Sequence, residues 1–197
     1  ELPPVKPLPN LEHLASIWLA LSAIYVVVLI HIFGPIRPGV LAQLQSSPRF
    51  LFETLLGVIG IALCGVMAFR DAVPGRLSKR FAGVSLTIMT LWLLQYPLGF
   101  LVPALEPSEL GKRDFCLYET MIYSLLPILV AWHWLRSFYP LSPKRTAMTI
   151  SLASGMIPAL YMQIACMYEP SHILKFHIAP GLIMVLVGLA LAWRWRR

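Results

Sequence analysis

Six apolar runs, each close to the length of a membrane-spanning helix, constrain the fold of this chain more than any other feature. A helix needs about 20 apolar residues to cross the hydrocarbon core of a bilayer. Backbone polar groups must also be paired there, which excludes open sheets. The sequence therefore predicts an all-α membrane protein with one bundle of six transmembrane helices. The runs lie at about 14–34, 50–69, 82–102, 116–136, 147–167 and 171–193.

Composition excludes a soluble globular domain. The chain is 58% hydrophobic and 13% charged, whereas soluble domains are about 25% charged. The formal net charge of +7 would suggest nucleic acid as the partner of a soluble protein. Here Lys and Arg fall in the loops between apolar runs, so we expect the lipid bilayer as a partner and no direct contact with nucleic acid.

The distribution of basic residues predicts the orientation of the bundle. Eleven Lys and Arg fall on the side of the two chain ends, and five fall on the other side. The positive-inside rule then puts both termini in the cytoplasm. We expect residues 1–13 to form an extended, Pro-rich cytoplasmic tail, and 14–197 to form the transmembrane domain. The first run has no small-residue cleavage site, so it is interpreted as a retained span rather than a signal peptide.

Two cysteines that are far apart in sequence are predicted to meet in space. Cys116 begins the fourth run and Cys166 ends the fifth. If both runs cross the membrane as a hairpin, the two thiols lie on the outward face at similar depth. One carboxylate, Glu119, and two imidazoles, His172 and His177, are close to them in sequence.

Three interpretations of the cysteine pair stay open at the level of residue chemistry. The thiols are unrelated groups at a boundary, or they form a disulfide, or they bind a metal with His172, His177 and Glu119 as further candidate ligands. Thiolate and imidazole suit zinc, cadmium or copper, here as a signal rather than an obligatory cofactor. We expect Glu119 and Glu169 to raise the pKa of a nearby thiol, and a bound cation to reverse that preference.

Small residues recur every four positions in two runs, which predicts close helix packing. They are Gly60, Cys64 and Ala68 in the second run and Ala147, Ser151, Gly155 and Ala159 in the fifth. Cys64 is therefore interpreted as a packing residue. Polar residues also gather in the outer third of the runs, among them His31, Glu53 and Gln95. They predict a polar vestibule that opens outward.

A set of short segments occurs in a fixed order along the chain. They are Pro4-Val5-Lys6-Pro7-Leu8, Ser47-Pro48-Arg49-Phe50-Leu51, Val73-Pro74-Gly75, Cys116, Leu126-Pro127, Leu135-Arg136 before Pro143, and Cys166. This order resembles the NrsF family of six-span bacterial membrane anti-sigma factors. The resemblance covers essentially the whole chain, and its strength lies in the combination of short motifs.

The resemblance implies a function that is binding without turnover, so no enzyme is expected. Members of that family hold an extracytoplasmic-function sigma factor at the inner membrane. The cysteines that match Cys116 and Cys166 are implicated in sensing heavy-metal or oxidative stress. The segment that matches Pro4 to Leu8 is implicated in holding the sigma factor. Lys6 stands where an arginine is expected, which turns a bidentate contact into a point-charge contact.

We expect the surface that contacts the sigma factor to combine the tail with the basic turns. Extended prolines lower the entropy lost on docking, and basic turns complement acidic patches. The alternative is that the turns serve orientation alone. The expected contact residues are Pro4, Val5, Lys6, Leu8, Arg76, Lys79, Arg80, Lys144 and Arg145.

Two other classes of membrane protein stay as alternatives, a redox enzyme and a metal-binding or transport protein. A redox enzyme needs a cofactor or an exchanging dithiol, but the sequence has no C-x-x-C and no opposed histidine pair in mid-bundle. A transporter needs polar groups through the whole bilayer, whereas the inner half of each run is apolar apart from Ser and Thr.

Overall fold

The chain folds into a bundle of helices in the computed structural model, which describes residues 8–195. Within that range no strand is longer than one isolated β-bridge. The helices are α1 (Leu11–Phe33), α2 (Val40–Ser46), α3 (Pro48–Asp71), α4 (Lys79–Leu98), α5 (Cys116–Arg136), α6 (Pro143–Ala165), α7 (Pro170–Ile173), a π-helical turn (Leu174–Ile178) and α8 (Ala179–Trp195).

Side-chain caps set the starts of three long helices. Asn10 accepts a hydrogen bond from a backbone amide of the first turn of α1, and Ser47 and Ser78 do the same for α3 and α4. Such caps satisfy amides that lack an intrahelical acceptor. Because Asn10 is the cap, α1 begins at Leu11, three positions before the predicted start of the first span.

Contacts between helix ends show that the long helices alternate in direction. At one end, here named the basic end, Glu12 at the start of α1 pairs with Arg70 at the end of α3. Arg145 at the start of α6 pairs there with Asp71, and the end of α8 packs on the start of α6. At the opposite end, here named the cysteine end, the start of α5 meets the residue that follows α6.

The most intimate helix contact joins α6 to α8. A Cβ atom added to Gly155 would collide with the backbone of Gly181. A Cβ atom added to Gly188 would collide with Ser151 and would lie 2.6 Å from the carbonyl oxygen of Ala147. The small-residue face predicted for the fifth run is therefore confirmed. It makes α6 and α8 one tightly packed pair.

Cys64 is a packing residue between α3 and α4. Its side chain is fully buried, and its Sγ lies 4.0 Å from the carbonyl oxygen of Ser85. Gly60, one turn earlier, brings α3 close to the backbone of Met89, since an added Cβ would lie 3.4 Å from the Met89 Cα. The prediction that Cys64 is a packing residue is therefore confirmed.

Among the described residues, five helical segments are long and apolar enough to cross a membrane by length and composition, one fewer than predicted. They are α1, α3, α4, α6 and the continuous stretch from α7 through α8. The helix left out is α5, although its bounds are those predicted for the fourth run. Its 21 residues include Glu119, His133 and Arg136, and these polar side chains lower its hydropathy.

Candidate thiol and metal centre

The two cysteines at the end of the α5–α6 hairpin lie in contact. Sγ of Cys116 is 3.2 Å from Sγ of Cys166, and both side chains are buried. Both are free thiols. The Cys116 thiol also donates a hydrogen bond to the carbonyl oxygen of Arg113 at 3.3 Å. The pair is therefore held at a separation from which either a disulfide or a shared ligand is a short movement away.

The local sequence after α6 fixes His172 beside Cys166. The Glu169 carboxylate accepts hydrogen bonds from the amides of Ser171 and His172, and Pro170 occupies the first position of α7. A capping acceptor followed by proline is a favoured start for a helix. The short helix α7 then brings Nε2 of His172 to 3.5 Å from Sγ of Cys166.

The π-helical turn before α8 has a local cause. Pro180 has no amide hydrogen, so the carbonyl of Phe176 loses its α-helical donor. That carbonyl accepts instead from the hydroxyl of Thr120 in α5, at 3.4 Å. The amide of Ala179 bonds five residues back, to Leu174, as in a π-helix.

The π-helical turn brings two histidine rings together. Five residues make about 1.4 turns of an α-helix, so His172 and His177 would otherwise point to different sides. In this structure the ring centroids are 5.1 Å apart. His177 is fully buried, and no described residue forms a hydrogen bond with either of its ring nitrogens. Since an unpaired buried polar group is costly, this ring is prepared for a ligand.

Four potential metal-ligand atoms converge at the cysteine end. They belong to Cys116, Cys166, His172 and His177, and all lie within 4.8 Å of one another. Two thiolates and two imidazoles form a common tetrahedral zinc set, and thiolates also favour other soft metals. The residues present thus fit a thiophilic metal ion.

Glu119 lies outside this set because it pairs with Arg113. Nε and Nη2 of Arg113 donate to the two carboxylate oxygens at 3.0 and 2.7 Å, and the Arg113 side chain is 2% exposed. Burial acts against the charge, but the hydrogen bonds and negative charge of Glu119 outweigh it and raise the pKa of Arg113. Both oxygens of this carboxylate are therefore engaged in a bidentate ion pair.

Arg37 is a second buried arginine at the cysteine end, and sequence reasoning counted both as loop charges. Its guanidinium carbon lies over the rings of Phe50 and Tyr168, 5.4 and 5.8 Å from their centroids. None of its three side-chain nitrogens has a hydrogen-bond partner in the described structure. Burial lowers the pKa of Arg37, and negative charge on Cys166 opposes that effect.

Two connectors, one between α4 and α5 and one between α1 and α2, cover the site. The segment between α4 and α5 is tied to Tyr168 through the amide of Ser108, at 2.8 Å, and through the amide of Ala104, at 2.9 Å. The amide of Arg37 donates to the carbonyl of Ala165 at 2.7 Å. These bonds enclose the two sulfurs and explain their burial.

The predicted outward vestibule is reduced to a small polar cavity of about 10 Å³, near the volume that one water needs. Glu53, Gln95 and Gln163 are among its lining residues. The hydroxyl of Tyr96 donates to Gln163 at 2.6 Å. These polar groups converge as predicted, and close packing makes the cavity they line small. His31 lies apart from them, exposed on α1.

The pKa of the Cys166 thiol is lowered, against the direction expected from nearby carboxylates. The close contact with the sulfur of Cys116, 3.2 Å away, is the first cause, and burial opposes it. His172 and His177 lower the pKa further. The Glu169 carboxylate binds the amides at the start of α7.

The residues predicted to contact a partner lie at the basic end or outside the described range. The five basic residues are exposed side chains near the ends of α3, α4 and α6. Leu8 is also exposed, and the other three tail residues precede the described residues. The basic residues are Arg76, Lys79, Arg80, Lys144 and Arg145, and the tail residues outside the range are Pro4, Val5 and Lys6.

Comparison with known proteins identifies the family. The profile of the NrsF family, described as "Negative regulator of sigma F", matches residues 1–197. Searches of curated proteins and of solved structures find no match. The family match spans the whole sequence and agrees with the order of short segments from Pro4 to Cys166. The chain therefore belongs to the NrsF family, whose name denotes a negative regulator of a sigma factor.

Proposed function

We propose that this protein holds an extracytoplasmic-function sigma factor at the bacterial inner membrane and releases it when the cysteine pair captures a thiophilic metal or is oxidised. The observation that carries the proposal is the convergence of two thiols and two imidazoles within 4.8 Å. A regulator of a sigma factor needs a signal. This cluster is the part of the described molecule whose chemistry can receive one.

The proposal includes α5 as a sixth span, which returns both chain ends to one side. Cys116 at the start of α5 contacts the residue after α6. Trp132 near the end of α5 packs with Ala147 near the start of α6. The two helices therefore run antiparallel along their full length. Because α6 is long and apolar enough to cross a bilayer, its partner α5 crosses the same thickness.

The basic end is assigned to the cytoplasm by the positive-inside rule. Two of the five basic residues on the opposite side, Arg37 and Arg113, are buried, so the charge contrast between the two surfaces is larger than the sequence alone indicates. The cysteine end then faces the periplasm, an oxidising compartment. In this orientation external metals and oxidants arrive from the periplasm and reach the buried thiols past the loop between α4 and α5 that covers them.

The sigma factor is proposed to contact the tail and the exposed basic turns. A groove of about 440 Å³ lies beside these turns, lined by apolar side chains such as Met67 and Leu86 and bordered by Lys144 and Arg145. An apolar segment with acidic neighbours on the sigma factor fits both features. Deletion of residues 1–9 is expected to abolish retention of the sigma factor and leave membrane insertion intact, measured by co-purification from membranes. Retained binding would remove the tail from the mechanism.

Both proposed signals change the distance between the sulfurs. A disulfide brings them from 3.2 Å to about 2.05 Å. A tetrahedral ion with metal–sulfur bonds of about 2.3 Å spreads them to about 3.8 Å. Binding also draws both thiols into the deprotonated form and releases protons. Each signal therefore moves the start of α5 relative to the end of α6.

Metal binding to the purified full chain tests the sensor. We expect Co²⁺ to give the intense visible absorption of a tetrahedral thiolate site, and Zn²⁺ or Cd²⁺ to displace it. Cys116→Ser, Cys166→Ser and His177→Ala should each abolish that spectrum, and Cys64→Ser should leave it unchanged. A wild-type spectrum in the double variant Cys116→Ser/Cys166→Ser would refute the metal site.

Release of the sigma factor is the second arm of that test. Cd²⁺ or a thiol oxidant should free the sigma factor from the wild type, whereas Cys116→Ser and Cys166→Ser should retain it under both treatments. A normal response of the double variant to metals and oxidants would make the pair structural.

A further inference from the structure

We propose that Arg113 transmits the state of the sulfur pair to α1, as a latch that both proposed signals open. The inference rests on the proposed sensing function and names the residue that couples the site to the rest of the bundle. Arg113 contacts the Cys116 thiol, α5 and α1 at once.

Arg113 binds three parts of the molecule through separate atoms. Its carbonyl oxygen accepts the hydrogen bond of the Cys116 thiol. Its Nε and Nη2 bind Glu119, one turn into α5. Its Nη1 donates to the carbonyl of Ile30 at 3.1 Å and to that of Pro35 at 2.8 Å. This residue therefore joins the Cys116 thiol, α5 and the end of α1.

The contact with α1 completes the end of that helix. Ile30 is in the last turn of α1, where carbonyls have no intrahelical donor. A cation there is also favoured by the helix dipole. Gly34 provides the space, since a Cβ atom at this position would lie 2.6 Å from Cζ of Arg113. The guanidinium thus replaces the amides that a longer helix would supply.

The trigger is the hydrogen on the Cys116 sulfur. A metal ion that binds two thiolates releases this hydrogen as a proton. Hydrogen peroxide removes it as well, since two thiols and one peroxide molecule give one disulfide and two water molecules. After either reaction a sulfur without hydrogen faces the carbonyl oxygen of Arg113 3.3 Å away, and the hydrogen bond that held this oxygen is lost. The backbone of Arg113 is then released at this point, and its bonds to α1 weaken.

The change reaches the basic end through α1. This helix has 23 residues and is about 35 Å long. Its start lies next to the tail that is proposed to hold the sigma factor and is tied to α3 through Glu12 and Arg70. Loss of the anchor at one end of a rigid helix therefore alters the position of the other end.

Hydrogen exchange of the full chain in detergent micelles tests the latch. In the wild type, oxidation by hydrogen peroxide should raise amide exchange in the last turn of α1 by about tenfold, the effect of losing one or two charge-assisted hydrogen bonds. In Arg113→Gln this exchange should be high before oxidation and rise no further, while the thiols are still consumed. Arg113→Lys keeps the positive charge but lacks the several N–H donors of the guanidinium. Its amide exchange in the last turn of α1 should lie between those of the wild type and Arg113→Gln.

Two further variants make the result decisive. Gly34→Ala displaces the guanidinium from the α1 carbonyls without removing a charged group, so it should behave like Arg113→Gln even if that variant folds poorly. Arg49→Gln is the matched control, because Arg49 pairs with Glu53 at the same end of the bundle. Its exchange in α1 should equal that of the wild type. Wild-type behaviour of Gly34→Ala before and after oxidation would overturn the latch.

Retention of the sigma factor separates the latch from the sensing function. If oxidation frees α1 through Arg113 while the sigma factor stays bound, the latch is supported and the sensing function fails. If oxidation releases the sigma factor equally from the wild type and from a folded Arg113→Gln variant, the sensing function is supported and the latch is overturned.

Discussion

The two ends of the bundle differ in whether they contain buried charged or imidazole groups without hydrogen-bond partners. At the cysteine end, the guanidinium of Arg37 and the imidazole of His177 are buried without a hydrogen-bond partner among the described residues. At the basic end, the buried carboxylate of Asp71 accepts hydrogen bonds from Arg145 and Thr146. One end has polar groups without partners, whereas the carboxylate at the other end is fully paired.

This difference indicates where the molecule can respond to a ligand. A buried polar group without a partner costs about 1–3 kcal/mol, and a ligand that supplies the partner recovers that free energy. The cysteine end can therefore gain stability from a metal ion. A carboxylate that is already paired gains nothing from a further ligand. The contrast supports the proposal that the signal is received at the cysteine end.

Removal of the Arg145–Asp71 ion pair, here named the clamp at the basic end, should have the largest effect on stability. In Arg145→Ala the Asp71 side chain, which is 2% exposed, keeps Thr146 as a partner but loses its cation. An uncompensated buried charge of this kind costs about 3 kcal/mol. The midpoint of thermal unfolding in micelles should fall accordingly. Lys144→Ala, the neighbouring exposed cation, is the control, and an equal loss in both variants would show that the basic end has no specific clamp.

The connection between the two ends can be weakened by one methyl group. Gly155→Ala puts a Cβ atom against the backbone of Gly181, which cannot move aside as a side chain can. Overpacking of this kind costs about 2 kcal/mol, and it also displaces His172 and His177, which immediately precede α8, from Cys166. We therefore expect lower stability and weaker Co²⁺ binding together. Gly83→Ala is the control because no atom lies near its added Cβ. If Gly155→Ala lowers stability and leaves Co²⁺ binding unchanged, the contact between α6 and α8 does not position the site.

Replacement of an unpartnered group should stabilise the metal-free protein. His177→Leu keeps an apolar side chain of similar size and removes two buried nitrogens without partners, which should raise stability by about 1 kcal/mol. The same change should abolish metal binding. His133→Leu alters an exposed histidine and should do neither. If His177→Leu lowers stability without metal, the cysteine end is not strained by unpaired groups.

The parts of this structure that depend on local sequence could be predicted, and those that depend on a covering loop could not. The bounds of α5, the meeting of Cys116 and Cys166 and the small-residue face of α6 all follow from periodicity and hairpin geometry. The burial of Arg37 and Arg113 arises when connectors fold back over the cysteine end, through bonds to residues at least 60 positions away. No periodicity in the sequence marks such contacts.

Two differences from the prediction had a signal in the sequence. Pro180 lies inside the sixth run, and its missing amide accounts for the π-helical turn that orients His177. The charged and polar side chains of α5, above all Glu119 and Arg136, account for five helices rather than six meeting the length and composition of a span. Pro180 and the polar side chains of α5 can be read from the sequence. Their structural consequence depends on which neighbouring helix supplies their hydrogen-bond and packing partners.

The smallest expected effect comes from the second ion pair at the basic end. Glu12 and Arg70 pair at 2.8 Å, but their side chains are 42% and 28% exposed. Exposed pairs contribute about 0.5 kcal/mol and are screened by salt. Arg70 also keeps the ring of Phe81, 4.4 Å from its guanidinium carbon, when the carboxylate is lost. Glu12→Gln should therefore lower stability slightly at low salt and not at all at high salt.

The salt dependence of the two pairs tests whether burial is what distinguishes them. The cost of Arg145→Ala should persist at high salt, because the Asp71 carboxylate is shielded from counterions by the helices around it. The cost of Glu12→Gln should vanish under the same conditions. Equal costs with equal salt dependence would mean that the basic end is held by surface charge in general. The contrast with the cysteine end would then rest on the unpaired groups of Arg37 and His177 alone.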